Sequence, residues 1–216
     1  MVELIEAAQT FSLDLTSQHG LIKAALKHFS GGNDFYAGGE YEKAVSEYDA
    51  ALAAVPDDPA FLNNKGAALG SLGHHEAALA AFDLSVALRP DYPVTLCNRG
   101  ISFAKSSHPE KALADLMRAI ELQPDYAEAL SVGGAVLSQL RRYKDALELI
   151  DRALNLRPAD ADLLTLRRET LGAQLKHLAK KGFASWSGGK PKGSEPPIPV
   201  TPGRPVSDYV IEDRHR

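Results

Sequence analysis

Residues 59–92 read PAFLNNKGAALGSLGHHEAALAAFDLSVALRPDY. In the first half Leu62, Leu69 and Leu72 fall at helical spacing, with Gly66 on the same side. In the second half Ala78, Phe82, Ser85 and Val86 make another helical stripe. Pro90 stops that second helix, because it has no N–H for the hydrogen-bond ladder and clashes with the preceding turn. The stretch therefore reads as two helices joined by a short turn.

The same landmarks return every 34 residues on either side. The glycines are Gly32, Gly66, Gly100 and Gly134; the alanines are Ala44, Ala78, Ala112 and Ala146; the prolines are Pro56, Pro90, Pro124 and Pro158. Three residue types in phase without one slip are the mark of a repeat array. Such an array offers a surface for another chain rather than a pocket for chemistry.

The small residues predict where helices approach. Gly in an exposed helix interior costs about 1 kcal/mol relative to Ala. Four such costs at one phase call for close contact, with Gly66 and Ala78 at the crossing of their two helices. Large residues fill the rest of each interface: Phe35 with Tyr48, Leu69 with Phe82, Phe103 with Leu116, and Leu137 with Ile150. Asp57, Asp91, Asp125 and Asp160 are expected at or beside helix N-termini, where a carboxylate caps free N–H groups. Pro59 and Pro93 suit a first helical turn.

This pattern resembles the tetratricopeptide repeat. The matching stretches are G-x2-F or G-x2-L in the first helix, A-x3-[Y/F/L/I]-x2-[A/S] in the second, and then P-D, over about Ala25 to Asp160. The early Trp of the family is replaced by His28, Leu62, Leu96 and Leu130, and Pro109 stands where Tyr41 and Tyr143 begin other second helices. The resemblance implies an all-α, right-handed superhelical solenoid whose first helices line a concave groove. The expected organisation is an N-terminal lead segment over 1–24, repeats over 25–58, 59–92, 93–126 and 127–160, a capping helix over 161–181, and a tail over 182–216.

Composition sets the bounds. A formal net charge of −4 in 216 residues argues against general affinity for nucleic acid. Cys97 is the single cysteine, which excludes an intramolecular disulfide and fits a reducing compartment. The acidic start M-V-E-L-I-E lacks the basic and apolar regions of a signal peptide, and no stretch approaches the ~20 apolar residues of a membrane span. A cytoplasmic, non-catalytic protein without cofactor or metal is expected. The pair His74–His75 lies in a turn without metal-ligand spacing, and no phosphate loop or Ser/His/Asp signature occurs.

The lead segment is expected to break near Ser12–Ser17. The closing helix carries Leu164, Leu171, Leu175 and Leu178 on one face, with Arg167, Arg168, Lys176, Lys180 and Lys181 keeping the other wet. Beyond Gly182 the chain turns rich in Pro and Gly without helical period, the composition of a disordered or extended tail. Its W-S-G-G-K-P-K-G and P-V-S-D-Y-V-I-E-D-R weakly resemble C-terminal segments of some bacterial antitoxins, which order themselves across a toxin. That resemblance implies contact roles for Trp186, Arg204, Tyr209, Ile211 and Arg214. Three readings stay open for the tail: solubilising, binding and inhibiting a partner enzyme, or lying in the protein's own groove.

The groove implied by the family would be lined by Phe29, Asn33, Tyr36, Asn63, Asn64, Cys97, Asn98, Ile101, Lys105, Ser131, Val132, Ala135 and Gln139. Asn64 and Asn98 are equivalent across one repeat, flanked at that phase by Ser30 and Val132. An Asn amide bonds both N–H and C=O of an extended peptide, whatever its side chains. Some relatives hold acidic C-termini of heat-shock chaperones with a clamp of Lys, Asn and Arg. Only Asn33 and Asn64 of that set are present; Phe29, Val94 and Asn98 stand where basic residues are wanted. The expected function is a scaffold or adaptor for a protein or peptide partner, with homo-oligomerisation left open.

Overall fold

The computed structural model describes residues 2–181, and the chain divides into two units, Met1–His177 and Leu178–Arg216. The described residues hold nine helices and no strand: α1 (Val2–Ala37), α2 (Tyr41–Ala54), α3 (Pro59–Ser71), α4 (His75–Leu88), α5 (Pro93–Lys105), α6 (Pro109–Leu122), α7 (Ala127–Gln139), α8 (Tyr143–Leu156) and α9 (Ala161–Lys180). The helices pack as hairpins, α1 with α2, α3 with α4, α5 with α6 and α7 with α8, and each hairpin stacks on the next. The first helices α1, α3, α5 and α7 also touch one another in sequence, whereas the second helices do not. The array is therefore narrower on the side of the first helices, which line its concave face.

Local chemistry fixes where each helix stops. Val55, Arg89, Gln123 and Arg157 take φ between −133° and −143° with ψ of 73–90°. Each precedes a proline, whose ring drives the preceding residue out of the helical region. Between the two helices of every hairpin, one residue adopts positive φ: Gly39, Gly73, Ser107 and Arg141, at 76°, 80°, 61° and 60°. The next N–H then closes on a carbonyl five residues back: Glu40 on Phe35, His74 on Leu69, His108 on Phe103 and Arg142 on Leu137. This is the left-handed helix end that satisfies orphan carbonyls.

The N-terminal caps only partly follow the sequence expectation. Asp58, not Asp57, caps α3 by accepting from the N–H groups of Ala60 and Phe61, and Asp160 caps α9 through Asp162 and Leu163. In α5 and α7 the cap position holds Tyr92 and Tyr126, without a side-chain cap bond. Asp57, Asp91 and Asp125 directly follow the proline and sit one residue too early.

The glycines do mark the close approach. A methyl added to Gly32 would lie 2.5 Å from Cε1 of Tyr48, and one on Gly66 would lie 2.6 Å from Cε1 of Phe82. The same addition at Gly100 meets Cγ of Leu116 at 2.8 Å, and at Gly134 it meets Cγ1 of Ile150 at 2.6 Å. The large residue of each second helix thus rests on the bare backbone of the first. All four are fully buried, as are Ala44, Ala78, Ala112 and Ala146 one turn earlier. Each such side chain contributes roughly 1.5–3 kcal/mol of hydrophobic burial.

Ion pairs clip neighbouring hairpins together at the same period. Lys65 on α3 meets Asp49 on α2 at 2.6 Å, Arg99 on α5 meets Asp83 on α4 at 2.9 Å, and Arg167 on α9 meets Asp151 on α8 at 2.6 Å. At the fourth equivalent both partners are replaced together, by Gly133 and Met117. Arg99 also grips Asp115 with two nitrogens, at 2.7 and 2.8 Å.

The two ends depart from expectation. The lead segment does not break at Ser12–Ser17: α1 runs unbroken from Val2 to Ala37. No proline interrupts it, and Ser or Thr in a helix costs no more than about 0.7 kcal/mol each. In α9 the leucine face is turned outward. Leu164 and Leu175 are exposed, while Leu163 and Thr170 are buried against the array. Thr170 Oγ1 lies 3.1 Å from Ser138 Oγ on α7.

Two glycine substitutions should therefore have opposite signs. Gly66→Ala should lower stability by about 1–3 kcal/mol through overpacking against Phe82. Gly172→Ala, with nothing within 4 Å of the added methyl, should raise it by up to about 1 kcal/mol. Urea unfolding followed by circular dichroism measures both. Removing the strain of positive φ, Ser107→Gly should stabilise the third hairpin by about 1 kcal/mol.

Candidate functional site

The concave face carries a connected row of amides. Asn98 on α5 donates from Nδ2 to Oδ1 of Asn63 on α3 at 3.1 Å. Asn63 donates to Oδ1 of its neighbour Asn64 at 2.9 Å, and Asn64 donates to Oδ1 of Asn33 on α1 at 2.8 Å. Tyr48, the buried residue beneath Gly32, donates its hydroxyl to the same Asn33 oxygen at 2.8 Å. The row crosses three first helices and is anchored at one end in the core. Asn33, Asn64 and Asn98 remain half-exposed, while Asn63 is buried.

Beside this row opens a concavity of about 190 Å3 that spans all four hairpins. Its wall includes Tyr36 from α1, Ser71 from α3, Asn98, Ile101 and Lys105 from α5, and Glu128 from α7. Gly70 belongs to the wall, where the absence of a side chain leaves room. The Tyr36 hydroxyl lies 3.4 Å from Ser71 Oγ and bridges α1 to α3. Lys105 and Glu128 give the concavity one charge of each sign.

The structure brings together seven of the residues expected in the groove: Asn33, Tyr36, Asn63, Asn64, Asn98, Ile101 and Lys105. It removes Cys97. That thiol is fully buried in the core cluster with Leu96, Ala112 and Leu116. Burial, and then the nearby Glu128 carboxylate, push its pKa from 9.0 up to about 12. Phe29 is half-buried at the edge of the core, stacked on Phe61 with ring centroids 4.7 Å apart and tilted to Tyr48 at 5.8 Å, and does not line the concavity. Ser131, Val132 and Ala135 are half-buried on α7 and Gln139 is exposed; none lines the concavity.

Sequence reasoning missed Ser71, Glu128 and the Tyr48 hydroxyl. Ser71 shares the phase of Lys105, and Glu128 shares the phase of Val94, so the 34-residue period carried both signals. Tyr48 was legible only as a core residue. Trp186, Arg204, Tyr209, Ile211 and Arg214 lie outside the described residues. No helix among the described residues is long and apolar enough to cross a membrane.

The sequence profile of the tetratricopeptide repeat matches residues 29–93 and 97–162, more than half of the chain. The chain belongs to the tetratricopeptide repeat family. Among solved structures, the first tetratricopeptide domain of Spaghetti (RPAP3), bound to the HSP90 peptide SRMEEVD, is 27% identical with a TM-score of 0.54. The match covers 56% of this chain and 95% of that one. YrrB, described as a tetratricopeptide repeat protein with an unusual peptide-binding site, is 20% identical with a TM-score of 0.60, covering 82% and 84%. MamA is 20% identical with a TM-score of 0.58, covering 74% and 93%. No curated protein is matched by the sequence.

The buried thiol has a pH signature. Below the ordinary thiol range both folded and unfolded chains keep the Cys97 proton. Between about pH 9 and about pH 12 the unfolded chain loses it and the folded chain does not, so stability falls as pH rises. The wild type should therefore lose more stability than Cys97→Ala on raising the pH from about 8 to about 10. Thiol reagents at pH near 8 should label Cys97 only on unfolding.

Proposed function

We propose that this protein is a non-catalytic scaffold or adaptor that grips an extended peptide or helix of a partner protein across α1, α3 and α5. The connected row Asn98–Asn63–Asn64–Asn33 carries the reading. Asn33 Oδ1 already accepts two hydrogen bonds, which fixes the amide and leaves its Nδ2 hydrogens to donate. At the other end Asn98 spends one donor on Asn63 and keeps its carbonyl to accept. A peptide backbone offers the complementary N–H and C=O groups. Amides already held in place lose little rotamer freedom on binding, which favours affinity without demanding a particular side chain.

The ligand chemistry differs from that of the RPAP3 domain, whose bound peptide ends in acidic residues. Phe29, Val94 and Asn98 are neutral, so a terminal carboxylate beside Asn33 and Asn64 would lack charge partners at those three positions. Lys105 and Glu128 instead suit a peptide of mixed charge and would set its direction. The description of YrrB, another array with a peptide-binding site outside the common pattern, is consistent with such variation.

The double substitution Asn64→Ala with Asn98→Ala should weaken partner capture from native extract about tenfold or more at a temperature where circular dichroism shows the variant folded, and should cost about 1–3 kcal/mol of stability because the buried Asn63 loses both amide partners. Capture at wild-type strength would remove the groove from consideration.

A further inference from the structure

The last helix is a first helix without a second. α9 begins at Ala161, 34 residues after Ala127 begins α7. Asp160 caps it at the phase of Asp58. Leu163, at the phase of Phe61, Thr95 and Ala129, is buried like them on the preceding hairpin. Arg167 pairs with Asp151 in the register of Lys65 with Asp49 and Arg99 with Asp83. By every one of these marks α9 docks as a fifth first helix.

The opposite face lacks what the earlier repeats supply. In the complete hairpins Leu62, Leu96 and Leu130 are only 6%, 3% and 1% exposed; Leu164, at the same phase on a helix without a second helix behind it, is 49% exposed. Leu171 shares this face and is half-buried, and Leu175 is 61% exposed. Leu175 stands at the phase of Gly39, Gly73, Ser107 and Arg141, the left-handed turn residues. It is helical, so the chain does not fold back there. The apolar stripe is about three turns long.

Arg168 decides what fits the stripe. It holds the phase of Gly32, Gly66, Gly100 and Gly134, where every complete hairpin lets a large side chain rest on bare backbone. A helix packed as closely as α4 on α3 would strike this side chain. Arg168 is exposed, makes no ion pair among the described residues, and has no acidic residue three or four positions away on its helix. A covering helix that brings a carboxylate opposite Arg168 therefore gains an ion pair that the protein's own described residues do not supply, and one that brings a cation there is repelled. A second copy of α9 brings none on this face, which there consists of Leu164, Arg168, Leu171, Gly172 and Leu175.

We propose that this face of α9 receives an amphipathic helix of a partner protein, apolar along one side and carrying a carboxylate opposite Arg168, at a site separate from the concave groove. The partner helix completes the fifth repeat in a wider-spaced form. Its leucine-type residues cover Leu164, Leu171 and Leu175, and its acid meets the guanidinium at the rim of the contact.

The test uses the full chain and two synthetic helical peptides with a leucine stripe, one with a central glutamate and one with lysine in its place. Fluorescence anisotropy should show the glutamate peptide binding at least about fivefold more tightly than the lysine peptide. Arg168→Glu should reverse that preference. Leu164→Ser with Leu175→Ser should abolish binding of both peptides without shifting the melting temperature, since both side chains are exposed. Asn64→Ala with Asn98→Ala should leave peptide binding unchanged. Equal binding of the two peptides, no binding of either, no reversal by Arg168→Glu, or binding that survives the leucine changes would overturn the proposal. So would sedimentation showing a dimer that the leucine changes dissociate, because a second copy would then occupy the face.

Discussion

One contact organises the array: a large buried side chain of the second helix pressed on a glycine of the first. It recurs as Tyr48 on Gly32, Phe82 on Gly66, Leu116 on Gly100 and Ile150 on Gly134. The space a methyl would need is already filled at each site, so the glycine sets the interhelical distance. The chemistry of the large residue varies from phenol to branched alkane. What is held constant is the void on the other side, because protein interiors pack to crystal-like density and tolerate no gap or overlap there.

From that spacing the rest follows. With the hairpin fixed, the left-handed turn residue and the proline determine where one helix ends and the next can begin. Stacked hairpins then bring their first helices into mutual contact, and the side chains on that side converge into the amide row and its concavity. The core contact and the row are physically joined at Tyr48, whose ring lies against Gly32 and whose hydroxyl holds Asn33. A polar group at the edge of the core thus orients an amide at the surface. The neutral row contrasts with the charged seams between hairpins, where Lys65, Arg99 and Arg167 are committed to pairs with the preceding second helix and serve the stacking itself.

The end of the array shows the same rule by exception. α9 retains every feature that docks a first helix on the hairpin before it and loses both features that admit a second helix behind it. Arg168 replaces the glycine, and Leu175 replaces the left-handed turn. The leucine periodicity of this helix predicts an apolar face, but Arg168, expected on the wet side, lies among those leucines, four residues after Leu164 and three before Leu171. It does not say which side of that helix the array covers. Leu163 and Thr170 turned inward because stacking on α7 and α8 uses that side in every repeat.

Chain-local patterning dictated the repeat helices, their pairing and the glycine contacts, though not the unbroken length of α1, because a 34-residue period forces one local solution to be repeated and each solution rests on neighbours close in the chain. The same period carried Asn64 and Asn98 to equivalent places. Which of the groove candidates meet depends on how the hairpins stack. Asn33, Asn63, Asn64 and Asn98 are joined by bonds that cross between helices 31 to 35 residues apart, a relation that no single-helix periodicity contains. Cys97 sits within one residue's rotation of the groove and went into the core instead, while Phe29 turned to stack half-buried on Phe61, since a helix of 3.6 residues per turn does not repeat its facing at adjacent positions. Side-chain direction at the edge of a buried face is set by what the neighbouring hairpin supplies, and that is fixed only once the hairpins have stacked.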